Sequence, residues 1–224
     1  MKVLIACEES QRVCSEFRRV GAEAYSCDIK SCGGSHPEWH IHGDALSIIN
    51  GNCTFETEDG CSHQISGTWD LLIAHPPCTY LSCAGARHLF PRGVLNEERY
   101  KKGLEGKAFF FQFYNSNAKH IAVENPKPLK IFEMPEPSCI TSPHYFGASV
   151  KKKTTYLWLK NLPPLSPTEI VTDATPTDKS FWFNAPRAFD GLDRQTRRSR
   201  THPRLAKAMA EQWYRYLIKE TSNV

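Results

Sequence analysis

The segment WDLLIAHPPCTYLSC, residues 69–83, decides the fold, because an apolar run ends in two prolines followed by a cysteine. The run WDLLIA predicts a strand that is buried on both faces. Two proline rings fix φ and remove two backbone donors, so the strand ends there and the next residue sits in a stiff loop. A single cysteine is most often a buried structural thiol. The position of Cys78, directly after a strand, favours a functional thiol instead.

The same strand-then-turn pattern recurs along the chain. KVLIA (2–6) predicts a first strand, and Val13, Phe17 and Val20 predict a helix that ends at Gly21. Further strands are predicted at AEAYSCD (22–28), HIHGD (40–44), HIAVEN (120–125) and TTYLWL (154–159), with a long helix at about 97–117. Strands that alternate with helices predict an α/β fold, a doubly wound and mostly parallel sheet in one domain spanning 1–224.

Two segments lack such patterns and are predicted to be loop-like insertions. They are residues 51–68 and residues 160–202, the second of which is rich in Pro, Thr and Asp. A final helix at 203–219 places Leu205, Met209 and Trp213 on one face, which predicts that it packs on the core.

The composition limits the classes of protein to which the chain can belong. It has 224 residues and a net charge of +4, and its apolar runs are too short to span a membrane. Nine cysteines without a paired framework indicate free thiols, so we expect a cytoplasmic protein with no membrane partner. Basic clusters at 127–130, 151–153 and 194–204 are either phosphate contacts or solvated surface.

Four chemically useful side chains follow predicted strands. Asp28, Asp44, Cys78 and Glu124 each lie at or just after a strand's carboxyl end. These ends meet at one edge of a parallel sheet, where ligands bind in such folds. Either aspartate alone is more typical of a helix cap, but the four together predict a site.

A thiol beside a carboxyl group suits covalent catalysis on a pyrimidine. The thiolate of Cys78 adds at ring carbon 6 while Glu124 supplies a proton or hydrogen bond at ring nitrogen 3. Carbon 5 then becomes nucleophilic enough to accept a methyl group, and loss of its proton with expulsion of the thiolate restores the ring.

A second cluster of potential ligands does not predict a metal site. Its members are Cys32, His36, His40, His42, Cys53, Cys61 and His63. Their spacings match no standard zinc motif and include no tight pair of cysteines.

Two motifs carry a resemblance to a known family. PPCTYLS (76–82) and ENP (124–126) resemble the Pro-Cys and Glu-Asn motifs of cytosine-C5 DNA methyltransferases, and the chain most resembles the short, phage-type members. Other segments follow that type in order: LIACEESQ, CDIK, HPEWHIHGD, TTYLWLKNLP and RRSRTHPRLAKAMAEQW. The resemblance implies a Rossmann-like methyltransferase fold, S-adenosylmethionine as donor, and DNA with a flipped or single-stranded cytosine as substrate. A phage-encoded chain of this type would act in the host cytoplasm.

The resemblance also assigns individual residues. It makes Cys78 the nucleophile, places Glu124 on the cytosine edge and adds Lys153 as a third catalytic residue. The implied donor-binding residues are Ala6, Cys7, Glu8, Ser10, Asp28, Ile29, Asp44, Ala45, His75 and Pro77, with Asp28 on the ribose and Asp44 near the adenine. The implied substrate-binding residues are Pro77, Thr79, Ser82, Asn125, Pro126, Thr155, Arg197, Arg198 and Arg200.

The sequence departs from the family in three places. The first loop, ACEES, lacks glycine, and Lys153 and Thr155 stand where the family has Gln-x-Arg-x-Arg, so the arginine fork is lost. Only a small region, 160–202, remains to read DNA sequence, unless a homodimer partner contributes. Within it SFWFNAPRAF (180–189) could stack on bases or form a core strand.

Two alternatives to a DNA methyltransferase follow from these departures. The same chemistry could act on a free cytosine nucleotide, for which no large recognition region is needed. The chain could also be a catalytically inactive relative that binds nucleic acid, since its loop and arginine motif are altered.

Overall fold

The computed structural model describes residues 1–149, 153–173 and 194–222. The segment 180–189, predicted to stack on bases or to form a strand, lies outside the described residues. The strands are β1 (Lys2–Ala6), β2 (Glu23–Asp28), β3 (His40–His42), β4 (Cys53–Glu56), β5 (Ser62–Ile65), β6 (Leu71–Ala74), β7 (His120–Asn125), β8 (Cys139–Thr141) and β9 (Thr155–Lys160). The helices are α1 (Arg12–Arg19), α2 (Ala86–Leu89), α3 (Glu97–Tyr114), α4 (Arg194–Ser199) and α5 (Pro203–Ser222).

Seven strands form one mixed, mostly parallel sheet in the order β3-β2-β1-β6-β7-β9-β8. β1, β2, β3, β6 and β7 pair in parallel, and β9 runs antiparallel to both β7 and β8. The α/β class and the mostly parallel sheet predicted from the sequence are therefore confirmed.

Apolar groups cover the sheet on both faces. Side chains alternate along β1, so that Val3 and Ile5 pack with α1 and α5 while Leu4 and Ala6 pack with α3. The two layers explain why β6 is apolar throughout, since all four of its residues are buried.

The insertion at 51–68 is not the loop that its sequence predicts. β4 and β5 form a separate antiparallel hairpin, and its Phe55 stacks on Trp69 and meets the ring of Tyr25 edge-on. Polar residues dominate the hairpin because only Phe55 and Ile65 face the core. None of the helices that the structure describes is long and apolar enough to cross a membrane.

Candidate active site

The site lies at the carboxyl ends of β1 and β6, where the strand order reverses. β2 and β3 continue the sheet on one side of this crevice and β7 on the other. Crevices at such reversals are where doubly wound sheets bind ligands. The loops that leave β1, β2, β6 and β7 supply most of the predicted site residues.

The loop that carries Cys78 is tied to the segment after β7. The backbone N–H groups of Leu81 and Ser82 donate to the carbonyl of Cys78 at 3.2 and 3.0 Å. Leu129 donates to the carbonyl of Leu81 at 2.8 Å, and Cys83 donates to that of Lys127 at 2.9 Å. The loops that follow Cys78 and Glu124 therefore form one hydrogen-bonded unit.

A small apolar cluster and one arginine contact this hydrogen-bonded unit. Leu81, Leu89 and Phe132 are fully buried together. Arg99 on α3 donates to the carbonyl of Thr79 at 2.9 Å and lies 4.8 Å from the ring centre of Tyr80. The support explains how a loop with two prolines keeps one conformation at the edge of the sheet.

Three charged side chains influence the thiol of Cys78. Burial raises its pKa to about 11, and the negative charge of Glu124 adds to the rise, while Lys153 and Arg198 oppose it. The thiol is thus protonated at neutral pH, and the charges of one acid and two cations act on it. The sequence predicts that Cys78 faces Glu124, and the charge of Glu124 does act on the Cys78 thiol.

Lys153 contacts the backbone at the end of α4. Its Nζ donates to the carbonyl oxygen of Arg198 at 3.1 Å and to that of Arg200. Burial lowers its pKa to about 8, whereas the charges of Glu124 and Cys78 raise it and those of Arg12 and Arg198 lower it. Lys153 therefore joins the segment after α4 to the thiol and the carboxyl group.

The three arginines predicted to bind substrate occupy different environments. Arg198 is exposed, Arg197 is buried, and Arg200 forms an ion pair with Glu9 at 3.0 Å. A side chain at Gly33 would approach this pair, because its Cβ would lie 2.7 Å from Arg200 Nη2. Of the three, Arg198 is the one whose charge acts on the Cys78 thiol.

Two of the residues predicted to bind a donor, Asp28 and Asp44, influence the thiol of Cys7, which has a left-handed backbone at φ 57°. Burial raises the pKa of the Cys7 thiol, and the charges of Asp28 and Asp44 raise it further. Asp28 accepts a hydrogen bond from the backbone of Lys30 at 2.9 Å, and its neighbour Ile29 is 76% exposed. Asp44 does cap a short 3-10 helix, through Leu46 N–H at 3.0 Å.

The loop after β1 has no glycine, and its residue Glu8 caps the amino end of α1 with its side chain. Its carboxylate is buried and accepts the first free amides of α1, those of Val13 at 2.7 Å and Cys14 at 3.1 Å. Burial raises its pKa, and a charge on His75 lowers it. The amino end of α1 is therefore already neutralised by a side chain of the protein.

Unpaired polar atoms concentrate at this edge. Among the described residues, Glu9 Oε2, His75 Nε2 and Asn125 Oδ1 are buried without a hydrogen-bond partner, as are one oxygen each of Ser116 and Thr141. Buried polar atoms are nearly always paired in folded proteins. Three such atoms at neighbouring strand ends indicate a place that a polar ligand or water completes.

The remaining predicted residues line the edge or lie beneath it. Pro77 and Thr79 are exposed at the rim, Ser10 and Pro126 are half-buried, and Ala6, Ala45, Ser82, Asn125 and Thr155 are buried. Ser82 pairs with Pro128 in an isolated bridge, and Thr155 Oγ1 contacts the carbonyl of Lys153 at 3.4 Å. The buried members support the loops from beneath.

Sequence reasoning missed three residues that shape the site. Glu9 forms an ion pair with Arg200, and Arg12 donates to the carbonyl of Thr201 at 2.9 Å. The side chain of Gln11 donates to the carbonyl of His36 at 2.7 Å and accepts from its backbone N–H at 3.1 Å, in the loop after β2. The adjacent acids of CEES were the available signal for Glu9. The long-range partners of Arg12 and Gln11 have no local signature.

The cluster of cysteines and histidines considered as a metal site is engaged elsewhere. Within the described ranges, no group of three or more His, Cys, Asp or Glu could hold a metal ion. His40 contacts Ser26 Oγ and the carbonyl of Lys30, and His63 contacts Tyr25 and Thr57. Two open depressions elsewhere, one beside residues 46–50 and one along α5, are lined by no cysteine or histidine among the residues described.

Protein-family models and curated proteins give no relative from which a role could be transferred. No protein-family model matches the sequence, and no curated protein matches it significantly. The chemistry of this edge of the sheet therefore has to be read from its own residues.

Proposed function

We propose that the protein methylates carbon 5 of cytosine in DNA, with S-adenosylmethionine as donor and Cys78 as the nucleophile. The observation that carries this proposal is the electrostatic coupling of a thiol and a carboxyl group on loops that leave adjacent strands, Cys78 after β6 and Glu124 on β7. The fold would then be of the Rossmann-like methyltransferase type, with the short region 160–202 serving recognition.

The donor side fits a positively charged nucleoside better than a dinucleotide. A pyrophosphate would normally use the free amides at the amino end of the first helix, but Glu8 already fills that position in α1. Asp28 could accept the two ribose hydroxyls, and the exposed face of Ile29 could lie against the adenine near Asp44. When bound there, S-adenosylmethionine would supply an electrophilic methyl group.

The first chemical step requires Cys78 to lose its proton. The carboxylate of Glu124 raises the pKa of the thiol. The state in which the two groups together hold one proton is therefore favoured over the state in which both are deprotonated. Transfer of the thiol proton to Glu124 produces both the thiolate and the carboxylic acid that the reaction needs. Lys153 and Arg198 stabilise the thiolate through their positive charge.

The following steps restore every group. The thiolate forms a bond to carbon 6 while Glu124 gives its proton to nitrogen 3, which leaves electron density at carbon 5. After methylation, carbon 5 loses its proton to solvent, the bond to sulfur breaks, and nitrogen 3 returns its proton to Glu124. Cys78 leaves as a thiolate and regains its proton from Glu124.

One observation favours the alternative of a free cytosine nucleotide. Glu9 neutralises Arg200, so one of the three predicted phosphate contacts is already paired within the protein. A mononucleotide needs few cations, whereas a DNA strand needs several along its backbone.

The test is to incubate the protein with donor carrying a labelled methyl group and either plasmid DNA or dCTP, and to digest the products to nucleosides. We expect label in 5-methylcytosine from DNA. Label confined to dCTP would support the nucleotide alternative. No label in either, together with no donor binding by calorimetry, would support an inactive nucleic-acid-binding protein.

A further inference from the structure

His75 occupies a position between the two halves of the site. It directly follows β6, its side chain is 10% exposed, and its Nδ1 lies 3.5 Å from Glu124 Oε2. Its Nε2 is buried and has no hydrogen-bond partner among the described residues. The strand order places Glu8, His75 and Glu124 at the ends of three consecutive strands, β1, β6 and β7.

Other buried histidines of the described chain differ from His75. His40 is held at Nδ1 by Ser26 and at Nε2 by the carbonyl of Lys30, both at 2.9 Å. His120, at the opposite end of β7, is held at Nδ1 by the carbonyl of Asp70 and at Nε2 by Glu220, at 2.9 and 3.0 Å. Contacts at both nitrogens fix the protonation of a histidine ring. His75 contacts Glu124 through Nδ1 at 3.5 Å, and its Nε2 has no protein partner among the described residues.

The groups that face His75 explain which nitrogen carries the permanent proton. Glu124 presents an acceptor to Nδ1. Glu8, on the loop after β1, interacts electrostatically with the ring, and both of its oxygens are engaged by α1. Lys153 and Arg198 act on the Glu124 and Cys78 side. An Nδ1–H is therefore the form that suits Glu124, and the contact is long enough to tighten when substrate binds.

We propose that His75 is a positioning residue for Glu124, whose Nδ1–H holds Oε2 and thereby leaves Oε1 to carry the proton that moves between Cys78 and nitrogen 3 of the cytosine. The inference depends on the proposed function. No new reactant is needed, because the proton on Nδ1 stays in place throughout and the proton on Oε1 comes from the thiol. His75 was expected from the resemblance to contact the donor, whereas here it acts through the carboxyl group on the substrate side.

The two amide substitutions of histidine separate these roles. The side-chain amide nitrogen of asparagine lies where Nδ1 lies in histidine, and that of glutamine lies where Nε2 lies. We expect H75Q to slow covalent adduct formation roughly 10- to 100-fold and H75N to remain within about threefold of the wild type. H120Q is the matched control, because it removes a histidine from another His–Glu pair on the same sheet, and its adduct rate should be unchanged.

The measurement is the rate of adduct formation with a 5-fluorocytosine duplex at saturating donor, with donor affinity measured separately by calorimetry. We expect the double variant H75Q/E124Q to be no slower than E124Q, because residues that act as a unit give non-additive losses. Equal rates for H75Q and H75N, or a loss confined to donor affinity, would overturn the role of His75 while leaving the proposed function intact.

A second readout does not need turnover. Nitrogen NMR of the imidazole should show the proton of the neutral ring on Nδ1 in the wild type, and a shift toward Nε2 in E124Q. A neutral ring protonated on Nε2 in the wild type would overturn the inference even if the protein methylated DNA. Failure of the proposed function would appear differently, as an absence of label and adduct in the wild type.

Discussion

At the scale of single residues, the thiol of Cys78 is a poor nucleophile until its surroundings change. Burial and the charge of Glu124 raise its pKa to about 11, so little thiolate exists at neutral pH before a proton moves. The positive charges of Lys153 and Arg198 offset only part of this rise in pKa. The chemistry therefore depends on the pairing of Cys78 with Glu124 rather than on either residue alone.

The first prediction concerns the nucleophile. We expect Cys78→Ser to abolish methylation and adduct formation while donor affinity, measured by calorimetry, stays close to that of the wild type. A serine hydroxyl is far less acidic than a thiol and cannot form the attacking anion here. Cys83→Ala is the control, because this exposed thiol bonds only weakly, to the carbonyl of Pro128 at 3.4 Å within the described part of the chain, and methylation should continue. Turnover by Cys78→Ser would remove Cys78 from its role.

The second prediction concerns pH and Lys153. Its pKa falls from 10.5 to about 8 on folding, so the unfolded chain binds more protons at this residue between these values. The free energy of unfolding should therefore gain a contribution that rises with pH across that window. Burial raises the pKa values of buried cysteines above their ordinary value of 9.0. These cysteines therefore lower the free energy of unfolding as pH rises, but only above pH 9.0.

The measurement is chemical denaturation of the wild type and Lys153→Met at pH 8 and pH 9. We expect the rise in the wild type to be absent from the variant. Equal pH dependence in the two proteins would mean that Lys153 is solvated and fully charged when folded.

At the scale of elements, the site depends on how α1 and α3 are held. α1 begins without a capping contact from its own N-cap residue, Gln11, and Glu8 supplies the missing acceptor from three residues earlier. α3 lies against the loops that follow β6 and β7 through Gly103 and Arg99. Both helices thus connect the rigid sheet to the reactive loops.

The third prediction tests the cap of α1. Glu8→Ala should destabilise the protein by about 1–3 kcal/mol, because it leaves two buried amides unpaired. Glu8→Gln should cost less, since an amide oxygen can still accept one of these bonds and no charge is buried. Denaturant unfolding measures both, and an equal loss in the two variants would indicate that the carboxylate charge, rather than hydrogen bonding, stabilises the helix.

The fourth prediction compares two glycines of α3. A methyl group on Gly103 would overlap the ring of Phe132, so Gly103→Ala should destabilise the fold by about 1–3 kcal/mol. On Gly106 the methyl would lie 3.6 Å from Leu81, an ordinary contact, so Gly106→Ala should stabilise the helix by up to about 1 kcal/mol. Thermal unfolding distinguishes the two variants. Similar shifts in Tm would show that Gly103 is not in close contact with the ring of Phe132.

At the scale of the whole molecule, the sequence predicted the sheet because local patterns specify it. Buried strands such as β1, β6 and β7 read as apolar runs, and α5 reads as an amphipathic stripe. β8 and the hairpin of β4 and β5 were missed, because their short polar strands are set by pairing with distant residues. Strand-end topology predicts that Asp28, Asp44, Cys78 and Glu124 lie at one edge of the sheet, whereas the contacts of Arg200 and His75 need the folded chain.

The fifth prediction also belongs to the whole molecule. If DNA is the substrate, its affinity should fall steeply between low and moderate salt, because each cation that contacts a phosphate releases a counterion. Arg198→Gln should weaken DNA binding at low salt and make the salt dependence shallower. Binding to DNA no more sensitive to salt than binding to dCTP would favour the nucleotide substrate.

The most direct test of a covalent role for Cys78 is to trap it. The protein, with S-adenosylmethionine and a duplex containing 5-fluorocytosine, is digested with protease and the modified peptide is sequenced by mass spectrometry. We expect the nucleotide on Cys78, with its carbon 5 methylated, and no adduct from Cys78→Ser. An adduct on another cysteine, or methylated DNA product without any adduct, would contradict the assignment.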